Sequence, residues 1–275
     1  MKTIILKPEE LLCGYDKVIE LYKYIPSLSH WRSWEYAAYQ KFDFEGKVLD
    51  LGCGDGQYFN LIWPNIVDAI GIDLNKQVAD IGLENGIYRK VHISHAHEIP
   101  EESNCFDHIF ANCSLEHMDH LEIVLQESYR CLRPGATLLC SVVTNRFIEW
   151  SILPKIIGRV GTEEQAMKMQ QEFISYHHLA NPLTVKSWCE QFTNAGFYPE
   201  VHIPIVPKYN SALWMLMDSV WHISKHEGGE MGDDIYKEIS KNDKFPIAFR
   251  KIFSGMIDME VDWQDACGAV FLLRK

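Results

Sequence analysis

The sequence predicts an α/β fold with a doubly wound parallel sheet, and three observations support this class. Short runs rich in β-forming residues alternate with helical stretches between residues 46 and 143, as expected of βαβ units. These runs are apolar on both faces, like strands that are covered by helices on either side. The chain has 275 residues and 47% hydrophobic content, which suffices for one large α/β domain with insertions.

The predicted elements follow one another along the chain. We expect strands at residues 47–51, 69–74, 106–112, 136–143, 198–203 and 268–274. Apolar residues at helical spacing predict a helix over 121–132, which the Arg-Pro-Gly sequence at 133–135 ends. Another helix is expected over 184–195, before the strand at 198.

The predicted elements divide the chain into a core and three additions. We assign residues 1–45 to an N-terminal helical segment, 46–145 to the core, 146–182 to a helical insertion, 183–204 and 264–275 to the rest of the core sheet, and 205–263 to a second helical insertion.

Composition excludes several classes of protein. The net charge of −12, without any Lys/Arg-rich run, argues against a nucleic-acid partner. None of the eight cysteines forms a C-x-x-C pair, so reduced core thiols are expected. The first apolar stretch is too short for a signal peptide, and no run of eighteen apolar residues predicts a transmembrane segment. We therefore expect a cytoplasmic protein.

A glycine-rich loop follows the first core strand, in the sequence VLDLGCGDGQ at residues 48–57. A strand that turns into a helix through glycines lets a ligand contact bare main chain next to the helix N-terminus. The dinucleotide pattern G-x-G-x-x-G needs glycine at position 57, where this chain has Gln57. Asp50 would also place a carboxylate beside a pyrophosphate. The loop thus favours a ligand with an ammonium group over a nicotinamide dinucleotide.

This loop and the segments after it resemble the class I S-adenosylmethionine-dependent methyltransferases, in particular the LDLGCGxG, type 11-like subfamily. Further similar stretches are GIDLN at 71–75, AHEIP at 96–100, FDHIFANCSLEHM at 106–118, LRPGATLLCSV at 132–142 and LTVKSWCEQFTNAGF at 183–197. The resemblance implies a Rossmann-like, seven-stranded sheet. It covers neither insertion.

The resemblance also implies a cofactor, S-adenosyl-L-methionine, which leaves as S-adenosyl-L-homocysteine. Asp50 would face the methionyl ammonium directly or through water, and Asp73 would bind the ribose hydroxyls. The residues implied for the cofactor site are Asp50, Gly52, Cys53, Gly54, Asp73, Leu74, Ala96, His97, Asn112, His117 and Arg32. The chain departs from the family at His95, where many members have aspartate, so the main chain of the next residues would recognise adenine.

The histidines of HISHAH, at residues 92–97, also invite a metal-site interpretation. No carboxylate or thiol lies at a matching spacing, and the segment coincides with the expected adenine loop. We assign no metal.

Methyl transfer requires an aligned acceptor, a dry site and the removal of one proton. Histidine is a suitable base because its pKa is near neutrality. Three candidates are His117, directly after the fourth core strand, and His177 and His178 in the first insertion. The alternatives are a loop histidine that packs on the cofactor or bonds main chain, for His117, and a surface or capping role for the other two.

The N-terminal segment and the insertions suggest how the site is covered. Arg32 is expected either to pair the methionyl carboxylate or to be a solvated helix residue. The helix near 211–224 carries one aliphatic stripe and one aromatic stripe, formed by Trp214, Met217 and Trp221. One stripe suffices for a core, so the aromatic stripe is expected to face a pocket, a second subunit of a homodimer or lipid, unless a wide face is buried.

Residues 147–160 are similarly apolar and are interrupted by Pro154. The two segments together predict a mobile hydrophobic lid over a partly apolar small-molecule acceptor, with O-methylation favoured over N- or C-methylation. Rival hypotheses are a non-catalytic protein that senses the cofactor, a nicotinamide oxidoreductase and a membrane-surface protein.

Overall fold

A computed structural model describes residues 1–275. Eight strands form one mixed sheet in the order β1-β7-β8-β6-β5-β2-β3-β4. Their bounds are β1 Lys2–Thr3, β2 Lys47–Leu51, β3 Asp68–Asp73, β4 Lys90–Ile93, β5 Phe106–Asn112, β6 Leu132–Val143, β7 Tyr198–Pro207 and β8 Ala266–Arg274. β8 is antiparallel to both of its neighbours, and the other pairs are parallel.

Helices cover both faces of the sheet. Their bounds are α1 Pro8–Tyr22, α2 Pro26–Tyr39, α3 Gln57–Ile62, α4 Lys76–Glu84, α5 Leu121–Cys131, α6 Arg146–Glu149, α7 Ile152–Val160, α8 Glu163–Tyr176, α9 Val185–Asn194, α10 Lys208–Trp221, α11 Met231–Ile239 and α12 Phe245–Asp258. A single 3₁₀ turn spans Leu115–His117. None of these helices combines the length and the hydropathy that a bilayer-spanning segment requires.

The central strands are buried on both faces because successive side chains point to opposite sides of a strand. Val48 and Phe110 belong to one hydrophobic core, whereas their neighbours Leu49 and Ile109 belong to the core on the other face. The doubly wound fold that the sequence predicts is therefore confirmed.

The strand order reverses next to β2. From β2 the chain builds β3 and β4 on one side and then returns to add β5 on the other. Crevices for ligands open at such a reversal, beyond the carboxyl ends of the strands. The loops after β2, β3 and β5 therefore meet at one edge of the sheet.

The sheet has one strand more than the seven expected. The extra strand, β1, is a two-residue edge strand that pairs Lys2 with Val201 of β7. β4 also lies at an edge, and Lys90 and His92 interrupt its apolar pattern. Both strands escape sequence-based prediction because half-exposed edge strands lack a continuous apolar run.

One expectation about the insertions is confirmed and one is wrong. The apolar stretch at 147–160 is broken just before Pro154: α6 ends at Glu149 and α7 begins at Ile152, so Pro154 lies in the first turn of α7, where proline is tolerated. The aliphatic stripe of α10 does not face the core: Leu213, Leu216 and Val220 are 37%, 39% and 38% exposed.

The aromatic side of α10 packs inwards instead. The Trp214 ring lies 5.0 Å from that of Trp31 and 5.4 Å from that of Phe147, and its Nε1 donates a 2.9 Å hydrogen bond to the Ser27 carbonyl. A large ring with a satisfied N–H gains more from burial than an aliphatic side chain does. The homodimer stays a prediction.

Candidate functional site

The loop after β2 is tightly folded onto β3. The N–H groups of Gly52 and Cys53 both donate to the Ile72 carbonyl, at 2.8 and 2.9 Å. Gly52 has φ +76°, and a Cβ at this position would lie 2.7 Å from the Ser114 Cβ. Only glycine combines this conformation with this close approach. The loop therefore presents bare main chain towards the crevice.

Asp73 is held in place at the end of β3. One carboxylate oxygen accepts a 2.9 Å hydrogen bond from the Gly54 N–H, and the other accepts a 2.8 Å bond from the Asn75 N–H. Asn75 in turn caps α4 by accepting from the N–H groups of its first turn. Two strand ends are thus joined through one carboxylate.

A cavity of about 370 Å³ opens beside this carboxylate. It is lined by Gly52, Ile72, Asp73, Leu74, Ser94, His95, Ala96, His97, Cys113, Ser114, His117, Met118, Asp119 and Val124. Six residues of the implied cofactor site, from four separate loops, meet here: Gly52, Asp73, Leu74, Ala96, His97 and His117. The other five do not line it.

Asp50 lies behind the glycine loop and is buried. Its carboxylate accepts a 2.5 Å hydrogen bond from the hydroxyl of Tyr88, in the loop before β4. Burial raises the pKa of Asp50 to about 7, against the opposing effect of the tyrosine bond. Sequence reasoning misses Tyr88, because no local pattern links it to a strand end 38 residues away.

Cys53 and Asn112 point into the fold rather than into the cavity. A Cβ on Gly71 would lie 2.6 Å from the Cys53 Sγ, so this thiol packs on β3. Burial raises its pKa and keeps it neutral. Asn112, at the end of β5, accepts a 2.8 Å hydrogen bond from the Tyr39 hydroxyl of α2. Both residues support the loops that carry the cavity.

Glu35 of α2 is a functional candidate that the sequence does not reveal. It is fully buried, and one carboxylate oxygen accepts hydrogen bonds from Cys113 Sγ at 2.9 Å and Ser141 Oγ at 2.7 Å. The other oxygen accepts a 2.6 Å bond from Arg32 Nη1. Arg32 also lies over the Tyr58 ring, 5.0 Å from its centroid. The guanidinium is thus paired with a buried carboxylate, and that carboxylate is bonded to the residue after β5 and to Ser141 of β6.

Glu116, in the 3₁₀ turn after β5, carries a second buried carboxyl group. Neither of its oxygens has a hydrogen-bond partner, and burial raises its pKa to about 8. Its main-chain carbonyl accepts from the N–H groups of Ala180 and Asn181, at 2.9 and 2.8 Å. The first insertion is therefore fastened to the turn that ends in His117.

The three candidate histidines do not converge on one point. His117 lines the cavity, and its Nδ1 lies 3.3 Å from the His178 carbonyl oxygen. His178 contributes that main-chain carbonyl, in a left-handed conformation with φ +47°. His177 lies in a different cavity, where its Nε2 is 3.2 Å from Asp218 Oδ2. Burial lowers the pKa of His117.

The HISHAH histidines have other neighbours. His92 Nε2 lies 2.8 Å from a Glu101 carboxylate oxygen. His95 stacks on His97, with the ring centroids 4.8 Å apart, and both line the first cavity. This pair forms a flat wall where the adenine loop was expected.

The second cavity has a volume of about 600 Å³ and lies between the two insertions. α7, α8 and α10 line it with Leu153, Pro154, Ile157, Met169, Phe173 and Ile223 on the apolar side and with Glu172, Tyr176, His177, Asp218 and His222 among the polar residues. The two apolar segments predicted to form a lid, residues 147–160 and the helix near 211–224, therefore line the same cavity.

Comparison with known sequences points to one family. A family model described as a methyltransferase domain matches residues 28–201, more than half of the chain. The mitochondrial ubiquinone biosynthesis O-methyltransferase of Mus musculus is 30% identical over 38% of this chain and 31% of its own. The ubiquinone/menaquinone biosynthesis C-methyltransferase of Haemophilus ducreyi is 23% identical over 55% of this chain and 66% of its own. The chain thus spans less than two thirds of the length of these relatives.

Solved structures share the fold at low identity. A Thermotoga maritima S-adenosylmethionine-dependent methyltransferase, described as a possible histamine N-methyltransferase, superposes with a TM-score of 0.56 at 16% identity and covers 97% of both chains. A methyltransferase from Mesorhizobium loti gives 0.56 at 13% identity and covers 88% of this chain and 97% of its own. The chain therefore belongs to the methyltransferase-domain family, and it shares the Rossmann-like fold of these solved methyltransferases.

Proposed function

We propose that this enzyme transfers the methyl group of S-adenosylmethionine to a partly apolar small molecule, with a hydroxyl oxygen as the favoured acceptor atom. One observation supports this above the others: Gly52, Asp73 and Ala96, from three separate loops, line one cavity of about 370 Å³. The cavity lies at the reversal of strand order, where open α/β sheets bind ligands.

The groups around this cavity suit the adenosine part of the cofactor. The bare main chain of Gly52 allows close approach, and the two hydrogen bonds to the Asp73 carboxylate orient it for the ribose hydroxyls. Leu74 offers an exposed apolar side chain beside them. The main chain of Ala96 and His97 supplies polar groups for the adenine edge, in place of the family's aspartate.

The methionyl part would extend towards α2. Cys53 and Gly54 continue the bare loop in that direction, and Asp50 provides a buried negative charge that attracts the ammonium directly or through water. Arg32 provides the matching cation for the carboxylate, in exchange for its bond to Glu35. Asn112 holds the end of β5 beside them.

The cofactor, when bound, supplies a methyl group activated by the sulfonium. The chain then has to orient the acceptor, exclude water and take up one proton. We assign the proton to His117, whose lowered pKa leaves the ring neutral near pH 7. Its Nδ1–H donates to the His178 carbonyl, which leaves Nε2 as the proton acceptor. His178 orients His117 through that carbonyl. His177 helps to bind the acceptor.

The insertions at 146–182 and 205–263 would bind the acceptor. Their shared cavity of about 600 Å³ has walls that are mostly apolar, which suits a molecule with an apolar body. The relatives act in ubiquinone and menaquinone biosynthesis and are named as O- and C-methyltransferases. Their names agree with a small-molecule acceptor and leave oxygen and carbon as rival acceptor atoms.

Calorimetric titration tests the cofactor assignment first. S-adenosylhomocysteine should bind and NAD should not, and failure of S-adenosylhomocysteine to bind would refute the proposal. Transfer of a labelled methyl group is then measured on a panel of phenols, matched anilines and arenes without a heteroatom. Preference for phenols supports O-methylation, preference for another member reassigns the acceptor atom, and cofactor binding without any transfer indicates a sensor.

A further inference from the structure

The cavity between the insertions contains a polar group that the methyl-transfer chemistry does not use. Asp218 of α10 lines this cavity, and its side chain is only 8% exposed. Its Oδ2 is buried, and the His177 Nε2 that lies 3.2 Å away is not aligned for a hydrogen bond. A buried carboxylate oxygen without a donor is costly, and a ligand that brings a donor removes the cost.

The neighbours of Asp218 keep it ionised. Burial by itself would raise its pKa, but His177 and His222 beside it lower the pKa below its usual range. His222 lies 3.5 Å from Asp218 Oδ1 and 2.9 Å from a Glu230 carboxylate oxygen, and these two acids raise the pKa of His222 against the effect of burial. The Tyr176 hydroxyl also contacts His222. The polar end of the cavity is thus an ordered network in which one carboxylate oxygen, Asp218 Oδ2, accepts no aligned hydrogen bond.

This cavity adjoins the cofactor cavity without sharing a lining residue with it. The two cavities are separated by one turn. His177 lines the cavity between the insertions, and the carbonyl of the next residue, His178, accepts a hydrogen bond from His117 of the cofactor cavity. Both cavities therefore border this turn, and an acceptor that reacts beside His117 would have to pass it to occupy the space beneath α7 and α10.

We infer that Asp218 recognises a neutral hydroxyl group on the acceptor, at the end of an apolar body remote from the methylated atom. The inference rests on the proposed function, since it concerns the acceptor of that same reaction. Apolar walls at Leu153, Ile157 and Phe173 suit a flat hydrocarbon body. An anionic end would face both Asp218 and Glu172 and would be repelled. A neutral hydroxyl avoids this repulsion and donates to Asp218 Oδ2.

Binding of two probes, measured in the presence of S-adenosylhomocysteine, tests the inference. 2-Naphthol carries a hydroxyl donor, and 2-methoxynaphthalene has the same body without one. The wild-type enzyme should bind 2-naphthol about ten-fold more tightly, as expected for a hydrogen bond to a charged acceptor. The Asp218→Leu variant should lose this preference, and Leu153→Trp should weaken both probes by filling the cavity.

Glu238→Gln is the matched control, because it removes one negative charge from the same insertion at an exposed position. It should keep the preference. If Asp218→Leu no longer binds S-adenosylhomocysteine, Asp218→Asn is used instead. The affinity of this variant for 2-naphthol, relative to that for 2-methoxynaphthalene, should be lower than in the wild type. The inference would be overturned if the wild type binds both probes equally or binds neither. It would also be overturned if the Asp218 variants still prefer 2-naphthol to 2-methoxynaphthalene as strongly as the wild type does. The proposed function would still stand if S-adenosylhomocysteine binds and a labelled methyl group is transferred to any of the tested acceptors.

Discussion

The hydroxyl of Tyr88 donates a 2.5 Å hydrogen bond to the buried carboxylate of Asp50, across 38 residues of sequence. Gly56, Gly71 and Gly82 surround the tyrosine ring, and a Cβ on Gly56 would lie 2.6 Å from it. The ring thus fills the space that three glycines leave open. It supplies a neutral donor to Asp50, so the carboxylate stays without a cationic partner of its own.

Cofactor affinity should therefore depend on pH through Asp50. Its pKa is raised from 3.8 to about 7, so the group is mostly protonated in the free enzyme below pH 7. A bound ammonium favours the ionised form, and affinity for S-adenosylhomocysteine should rise as the pH increases towards 7, with release of a proton. Calorimetry in buffers of different ionisation enthalpy measures that proton.

The Asp50→Asn variant should bind more weakly and with little pH dependence. The same raised pKa implies that the stability contributed by protonated Asp50 is present below pH 3.8 and is lost as the pH rises through about 7. Asp80→Asn, at a more exposed acid of α4, should behave like the wild type. A pH profile that Asp50→Asn does not change would contradict the assignment.

Removal of the Asp73 carboxylate should lower the affinity for the cofactor. Asp73→Ala loses the bonds from the Gly54 and Asn75 N–H groups as well as the acceptor proposed for the ribose. Hydrogen bonds to a charged group are worth about 1.5–3 kcal/mol each, so affinity should fall at least about ten-fold. Titration with S-adenosylhomocysteine measures the effect, and Asp80→Ala is the control. Unchanged affinity would exclude the ribose role.

Substitution of the three histidines should separate their roles. His117→Ala should lower the single-turnover rate by about 10²–10⁴-fold while the cofactor still binds, because the proton acceptor is lost. His178→Ala keeps the carbonyl that orients His117 and should leave the rate nearly unchanged. His177→Ala should raise the KM for the acceptor rather than lower the rate. Equal rates for all three variants and the wild type would exclude histidine as the base.

Glu116 should make the enzyme less stable as the pH rises. Its pKa is raised by burial from 4.5 to about 8, so its contribution to stability is complete below pH 4.5 and is lost as the pH increases through about 8. Each pKa unit corresponds to about 1.4 kcal/mol. Glu116→Gln should flatten this loss in urea unfolding between about pH 5 and pH 8. The control Glu238→Gln, at an exposed position, should show the same change of unfolding free energy with pH as the wild type. If Glu116→Gln also shows that change, Glu116 does not have the raised pKa.

Most of the fold could be predicted from features that are local in the sequence. The loop at 48–57 and Asp73 follow strands whose apolar residues are contiguous in the sequence, and the ends of parallel strands necessarily meet at one edge of the sheet. Six residues of the predicted cofactor site therefore line one cavity. Edge strands such as β1 and β4 carry no such signal, because exposure removes their apolar run.

The sequence by itself determined the positions of the central strands, the glycine loop and the acids at the strand ends, because each of these depends on residues only a few positions apart. Only the tertiary structure decided which groups meet across the chain: Glu35 with Ser141, 106 positions apart, and His177 with Asp218. It also decided that the aromatic side of α10 packs inwards. Such contacts depend on how whole elements pack, and the periodicity of a helix shows which residues share a face but not which face is buried.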